Sequence, residues 1–408
     1  MSGEDVMPVF CAAHELASWD ERHPQAAFAE LAGQACPVRP DGTLVVAARG
    51  EMAEFLRHPA VRATDGVHYN LGGKRPLIPL DLDGAAHRKY RRLLDPLFTP
   101  KSITRLEPLI RSRTSALIDT FAEAGSADLM PSLCGPLPSY LFIDLLGLPV
   151  TDLPVFLDFK EAVVRPQGAT EDEQQANMRA AGNRMYGYLA AVLDERRASV
   201  PRDDLIGGFL ATEIDGQRLT DEEITDICYL LVIAGLDTVT SSLSCLLAWF
   251  AEHPAERHAV TADPGLLPRA IEELMRFESP VPLGHRWVTE DIEVCGRRFP
   301  AGSKVEVLWA AANADAAAFP DPFAVDFARR GNGHVGFAAG PHRCLGSNLA
   351  RLELRLAIEE FHRRIPDYAI TPGDQVVYTN YGVRAAVRLP VTFPVHPQDR
   401  TIASPAGA

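Results

Sequence analysis

The stretch Gly336-Phe-Ala-Ala-Gly-Pro-His-Arg-Cys-Leu-Gly346 decides how this chain is read. It sets Phe337, Gly340, His342, Cys344 and Gly346 in the pattern Phe-x-x-Gly-x-His-x-Cys-x-Gly. Five fixed positions at about one in twenty each, over roughly 400 starting points, match by chance on the order of 10⁻⁴ of the time. Each member has a chemical reason. A helical pattern starts at Cys344 and runs to Arg364, so the sulfur is expected at a helix start. Free N–H groups and the helix dipole there favour a thiolate. Gly340 and Gly346 let the backbone lie close to a flat bound group. Phe337 is placed to shield the sulfur from water. His342 is placed to donate a hydrogen bond to a carboxylate at the edge of that group. An isolated cysteine is usually a small buried hydrophobe; this setting argues otherwise.

Upstream, Thr220-Asp-Glu-Glu223 is a capping box. Apolar residues follow to Phe250, and Pro254 stops the run. A helix of about 32 residues would span roughly 48 Å, and one so apolar is expected to be buried through its middle. Ala234-Gly-Leu-Asp-Thr238 lies midway. Gly235 removes a side chain, and Thr238 can bond the carbonyl four residues back or release it and hold a water. Asp237 can relay protons. An acid–alcohol pair of this kind suits proton delivery. Further pairs share a helix face: Glu273 with Arg276 at i,i+3, and His87 with Arg91 at i,i+4.

The rest of the chain bounds the class. With 47% hydrophobic and 23% charged residues it reads as an ordinary globular protein. Its 408 residues allow two or three domains, but no linker or charge block marks a seam. One domain over residues 1–394 is expected, with 395–408 as a disordered tail. The net charge of −14 argues against a nucleic-acid binder. The seven cysteines are odd in number and form no CxxC pair. A disulfide framework or zinc ribbon is therefore not expected, and a reducing cytoplasm fits. The start, Met-Ser-Gly-Glu-Asp, lacks a signal-peptide pattern. The longest apolar run, Ile227–Leu236, is far short of the roughly 20 residues of a membrane span. Periodicity predicts a strand at Thr43–Ala48 and helices at Glu51–Arg57, His87–Leu97, Leu106–Ala124, Leu133–Leu146, Glu171–Ala198 and Leu266–Phe277. Short strands follow to Val307, then an irregular Pro320–Gly340, and a hairpin within Val376–Phe393. The fold class is mainly α, with small β-sheets near the two ends and a long central helix.

The cysteine stretch closely resembles the haem-binding signature of the cytochrome P450 family, in its soluble bacterial form. The resemblance runs from about Cys36-Pro37 to Phe393, with the motifs in family order. It implies the single-domain P450 fold, haem b as cofactor, and Cys344 as the metal ligand, cysteine thiolate being that family's axial ligand. Ala234–Thr238 resembles the family's oxygen-activating motif, which makes Asp237, Thr238 and Gly235 the catalytic set. Glu273 and Arg276 resemble a structural pair that links to an arginine before the cysteine stretch, here Arg329. His87, Arg91 and Arg286 would hold the haem propionates, each charge-assisted bond contributing roughly 1.5–3 kcal/mol. The substrate pocket would take Val232, Ile233, Leu236, Val281, Leu283, His285, Asn380 and Tyr381, with the 61–83 and 163–168 segments. Two departures stand out. Ala338 replaces the family's usual Gly, and Asp83-Gly-Ala-Ala-His87 replaces its usual Asp-Pro-Pro-Glu-His.

By the same resemblance the activity is monooxygenation of a small apolar substrate, by hydroxylation or epoxidation. The haem domain nearly fills the chain, so electrons would come from NAD(P)H through a separate ferredoxin reductase and ferredoxin. Arg88, Lys89, Arg92, Arg343 and Arg351 form the expected docking face for an acidic ferredoxin. A monomer is expected, with neither nucleic acid nor membrane as partner. The alternatives are a peroxide-driven oxygenase or isomerase on the same fold, and a non-enzymatic haem binder. The Asp237–Thr238 pair argues against both.

Overall fold

The computed structural model describes residues 22–34, 37–39, 41–64, 71–214, 216–379 and 382–395. Asn380, Tyr381 and most of the expected tail lie outside the described residues. The architecture is mainly helical with small sheets, as the periodicity implied. The sheets join distant parts of the chain. Strand Leu44–Val46 pairs in parallel with Lys304–Val307, which pairs antiparallel with Gly284–Val288, and Val61–Arg62 completes the sheet. A second sheet sets Pro390–Thr392 between Ala369–Ile370 and Ser126–Asp128. The expected terminal hairpin is Val377–Thr379 against Ala385–Arg388.

The long helix is broken once. It runs as Asp221–Leu236 and Thr238–Glu252, with Asp237 between them at φ −101°, ψ −36°. The capping box forms at its start. Glu223 N–H donates to Thr220 Oγ1 at 3.1 Å, and Thr220 N–H donates to Glu223 Oε2 at 2.8 Å. The combined helix is long and apolar enough to cross a membrane by length alone, but 72% of its apolar window is buried within the protein. Its first half packs in a core with Leu77, Ile143, Phe156 and Tyr186. Its second half packs in another with Ile118, Leu274, Ile358 and Phe361. The break at Asp237 thus falls where the two cores meet.

Several boundaries differ from the sequence reading. The Glu171–Ala198 helix is as expected. The His87–Leu97 helix starts earlier, at Gly84, and ends at Leu94 in a 3₁₀ turn. Gly84 adopts φ +58°, a conformation closed to the proline that the family usually carries there. Helices at Leu153–Val164, Leu205–Ala211 and Pro254–Ala262 were not anticipated. The helix expected to begin at Cys344 begins at Ser347, with Gly346 as its N-cap. The sulfur therefore precedes the first helical turn.

Candidate functional site

A cavity of about 330 Å³ lies at the broken helix. Cys344 borders it, together with Phe337, Leu345, Gly346, Leu349 and Ala350. The accessible surface of Cys344 faces this cavity, although the residue lies deep in the protein. The loop is held by its own backbone: Cys344 N–H donates to the Phe337 carbonyl at 2.9 Å, and Ala338 N–H to that of Val335 at 2.8 Å. Burial pushes the Cys344 thiol up, while the Gly346 N–H and the charges of Arg91, Arg343 and Arg351 pull it down. Arg351 lies 4.3 Å over the Phe337 ring and is anchored to Glu272 at 2.6 and 2.7 Å. Burial would raise the Glu272 carboxyl, but hydrogen bonds from Arg351 and His334 outweigh it and bring it to about 2.

The two loop glycines play different parts. Gly346 borders the cavity and has open space where a side chain would stand. Gly340 was expected to serve the same approach, and the structure corrects this. It is off the cavity at φ +76°, where a Cβ would lie 3.3 Å from the Leu56 carbonyl oxygen. Ala338 keeps φ +56° although it is not glycine. That costs an L-residue roughly 1–2 kcal/mol, against roughly 0.5–1 kcal/mol for glycine's greater loss of freedom. Ala338→Gly is therefore expected to stabilise the protein by about 0.5–1 kcal/mol, read as a higher urea midpoint at unchanged slope. A lower midpoint would show that the Ala338 methyl group contributes packing worth more than the strain.

One edge of the cavity is basic. His87 and Arg91 line it, and the His87 and His342 rings lie 4.1 Å apart. His342 Nε2 is 3.0 Å from Asp83 Oδ1. Asp83 also accepts from the Ala63 N–H at 3.0 Å, so it ties the Val61–Arg62 strand to the cysteine loop instead of capping its helix. Arg91 donates from Nη1 to the Arg343 carbonyl and from Nε to Asp95, both at 2.8 Å. Burial, then the neighbouring His342 and Arg91, bring His87 down to about 4. Arg286, expected at this edge, is buried and does not itself border the cavity.

The helix wall has a different phase from the expected one. Leu230, Leu231, Ala234, Gly235, Thr238, Val239 and Ser242 line the cavity. Val232 and Leu236 face away into the core, fully buried, and Ile233 packs against that same core. Thr238 Oγ1 donates to the Ala234 carbonyl at 2.8 Å. A Cβ on Gly235 would lie 3.0 Å from the Phe142 ring, so its missing side chain makes room first for that ring. Asp237 is off the cavity, 4% exposed, and neither of its carboxylate oxygens has a hydrogen-bond partner among the described residues. Burial raises its carboxyl, and Lys160 and Arg165 lower it in part. Opposite, Val281 lines the cavity as expected, but Leu283 and His285 do not. Leu283 joins a core with Phe28 and Leu308, and His285 is buried in the sheet. Ile78, Pro79 and Leu80 bring in the end of the 61–83 segment, while 163–168 contributes nothing to the lining.

Below the loop, Glu273 and Arg276 pair at 2.8 and 3.0 Å, each 1% exposed. Arg329 Nε donates to Glu273 at 2.9 Å, as anticipated. Arg276 also donates to the carbonyls of Asn313, Pro322 and Ala324. Many lining residues went unnoticed in the sequence, Trp309 and Glu353 among them. Glu353 stands on the stripe Gly346-Leu349-Ala350-Glu353, whose i, i+3, i+4, i+7 spacing could have found it. Its burial pushes its carboxyl up to about 8.

A family model described as cytochrome P450 matches residues 169–263 and 262–365. The monooxygenase PikC of Streptomyces venezuelae is 35% identical over 77% of this chain and 75% of its own length. The chain belongs to the cytochrome P450 family. The vitamin D(3) 25-hydroxylase of Pseudonocardia autotrophica is 33% identical, covering 93% of this P450 and 96% of the relative. Among solved structures, CYP109E1 of Bacillus megaterium with corticosterone superposes at a TM-score of 0.83 with 28% identity, covering 91% of this chain and 99% of that one. This P450 is accordingly a haem-dependent oxidoreductase with haem b as cofactor. Its cavity fits that group: one thiol at the floor, open space over Gly346, basic side chains at one edge and mostly apolar walls elsewhere, broken by Thr238, Ser242 and Glu353.

Proposed function

We propose that this P450 inserts one atom of dioxygen into an apolar organic substrate, by hydroxylation or epoxidation. The observation that supports it most is one cavity with Cys344 at its floor and the Thr238 face of the broken helix along its wall. When bound, the haem supplies dioxygen activation at an iron made electron-rich by its thiolate ligand. The chain's own residues do the rest. Cys344 holds the iron, and Phe337 under Arg351 keeps water from the sulfur. His87, Arg91 and His342 serve the propionates, and Arg286 adds its charge from behind that edge. Glu273, Arg276 and Arg329 brace the loop from below. Thr238 holds a proton-bearing water when its hydroxyl leaves the Ala234 carbonyl, and Asp237 brings the proton. Residues 1–394 form one functional unit in this reading, a cytoplasmic monomer.

The substrate is expected to be apolar. Ile78, Leu80, Leu230, Leu231, Ala234 and Val281 offer no charge to an occupant. Relatives include a steroid C26-monooxygenase and an erythromycin C-12 hydroxylase. Steroids and macrolactones therefore head a screen for the low- to high-spin absorption shift. A substrate that gives the shift and yields an oxygenated product with NAD(P)H, ferredoxin reductase and ferredoxin supports the reading. Turnover with peroxide alone would assign the peroxide-driven alternative.

Electron supply would come through the outer face of the Gly84–Leu94 helix. Arg88, Arg92 and Arg343 are exposed there. Two cations expected beside them are engaged elsewhere: Lys89 pairs with Glu223 at 3.3 Å, and Arg351 pairs with Glu272. The docking set is taken from exposure alone, as Arg88, Arg92 and Arg343. Arg88→Glu with Arg92→Glu, one turn apart, is expected to lower ferredoxin-supported turnover at least tenfold at low salt and to flatten its salt dependence. Peroxide-supported turnover is expected to hold. Equal losses in both assays would place these residues in the haem pocket instead.

A further inference from the structure

We propose that Trp309 is a positioning residue for the haem edge: its indole borders the cavity and holds the Arg286 guanidinium one side chain back from the propionates, where its charge acts on them across the ring. This rests on assigning Arg286 to that edge, and the test below separates the two claims. Trp309 follows strand Lys304–Val307 and opens the short Trp309–Asn313 helix. It is 3% exposed, packs with Phe55, Val305 and Val335, and borders the cavity. Arg286 stands on the neighbouring antiparallel strand, opposite Val305. Its guanidinium carbon lies 5.7 Å from the centre of the indole, and its Nη1 donates to the His285 carbonyl at 2.6 Å. Arg286 does not border the cavity and Trp309 does. The indole is thus the surface that meets the cavity, with the cation stacked against it.

The local sequence makes room for this arrangement. A Cβ on Gly284 would lie 3.1 Å from Trp309 Nε1 and 3.4 Å from Cζ2. The indole therefore occupies space that glycine leaves open, two residues before the arginine it supports. An arginine side chain has many rotamers. A flat aromatic face on one side and the His285 carbonyl on the other restrict it to one orientation. A leucine could fill the same volume, but it would offer no ring quadrupole to the cation.

The experiment uses the purified holoprotein. Haem transfer to excess apomyoglobin and the ferric–ferrous midpoint potential are measured for Arg286→Ala, Trp309→Leu, Trp309→Phe, Gly284→Ala and the Arg286→Ala/Trp309→Leu double variant. Trp309→Leu is expected to speed haem loss about twofold to thirtyfold, the range of a cation–π contact. It is also expected to move the potential in the same direction as Arg286→Ala. Trp309→Phe, which keeps a ring, is expected to stay near the wild type. The double variant is expected to lose haem no faster than Arg286→Ala alone. If Arg286→Ala changes neither measurement, the assignment of Arg286 fails, and this proposal fails with it. If Arg286→Ala speeds haem loss while Trp309→Leu does not, or if the two effects multiply, Trp309 is core packing only and the proposal is overturned. Should Trp309→Leu not fold, Gly284→Ala decides. It keeps both partners and displaces the indole, so unchanged haem loss and potential there overturn the proposal.

Discussion

Cys344→His is expected to abolish the red-shifted Soret band that marks thiolate ligation in the reduced carbon monoxide complex. The histidine variant can keep haem through the basic edge at His87 and Arg91, so loss of the band would report the ligand and not the cofactor. No other described cysteine can substitute for it. Cys134, Cys228 and Cys245 are buried in the two cores away from the cavity, and Cys295 is exposed on a turn beside Glu54. Burial pushes the thiols of Cys228 and Cys245 up to about 12, so they remain protonated at neutral pH. Replacing Cys134, Cys228, Cys245 or Cys295 by serine is expected to leave the band intact. A thiolate band that survives in Cys344→His would mean that the ligand has been misassigned. The effect is all-or-none because imidazole nitrogen does not push electron density to the iron as thiolate sulfur does.

Local pattern made some of this site legible and left other parts hidden. The cysteine loop could be read because its chemistry is packed into one short stretch. The Glu273–Arg276 pair followed from its spacing and Arg329 from the family resemblance, and the hydrogen bonds among them are present. The phase of the long helix could not be read. It is apolar on almost every side, because one side faces the cavity and the others face two cores. Leu230 and Val232 look alike in sequence, yet the first lines the cavity and the second is fully buried. Leu283 and His285 were misplaced for a related reason. The cavity wall is made before the strand, at Pro280 and Val281, and Gly284–Val288 then turns into the sheet. Trp309 had no local signal, since its meaning comes from Gly284 and Arg286 on a strand more than twenty residues earlier in the chain. Ala338 is the opposite case. Its departure from the family pattern was visible, but only the backbone reveals that the left-handed conformation is kept regardless.

Thr238→Ala is expected to retain haem, the carbon monoxide spectrum and substrate binding, and yet to uncouple the reaction. NAD(P)H would be consumed while product falls and hydrogen peroxide is released. The reason lies in the break of the long helix. Asp237 interrupts the helix, buried and without a hydrogen-bond partner among the described residues. A carboxylate in such a place is costly unless it is solvated, paired or protonated, and burial raises its pKa. A structural threonine alone would not account for that neighbour; the proposed proton path would. Thr238 faces the cavity, Asp237 faces away from it, and adjacent positions on the helix link the two sides. The two variants are therefore expected to fail differently. Asp237→Asn removes the group that brings protons, so oxygen consumption itself slows. The wild-type rate is expected to fall as pH rises through the raised pKa of Asp237, and the variant is expected to lack that fall. Thr238→Ala leaves delivery intact but removes the hydroxyl that holds the proton-bearing water in place. General acid–base groups typically contribute roughly 10²–10⁴-fold. The loss at Thr238 is expected at the lower end of that range, because water can enter where the hydroxyl stood. The deciding measurement is product formed per NAD(P)H oxidised, together with oxygen uptake as a function of pH, in the wild type and both variants. Unchanged coupling in Thr238→Ala with unchanged uptake in Asp237→Asn would reduce the break to a kink that lets the helix pass between two cores.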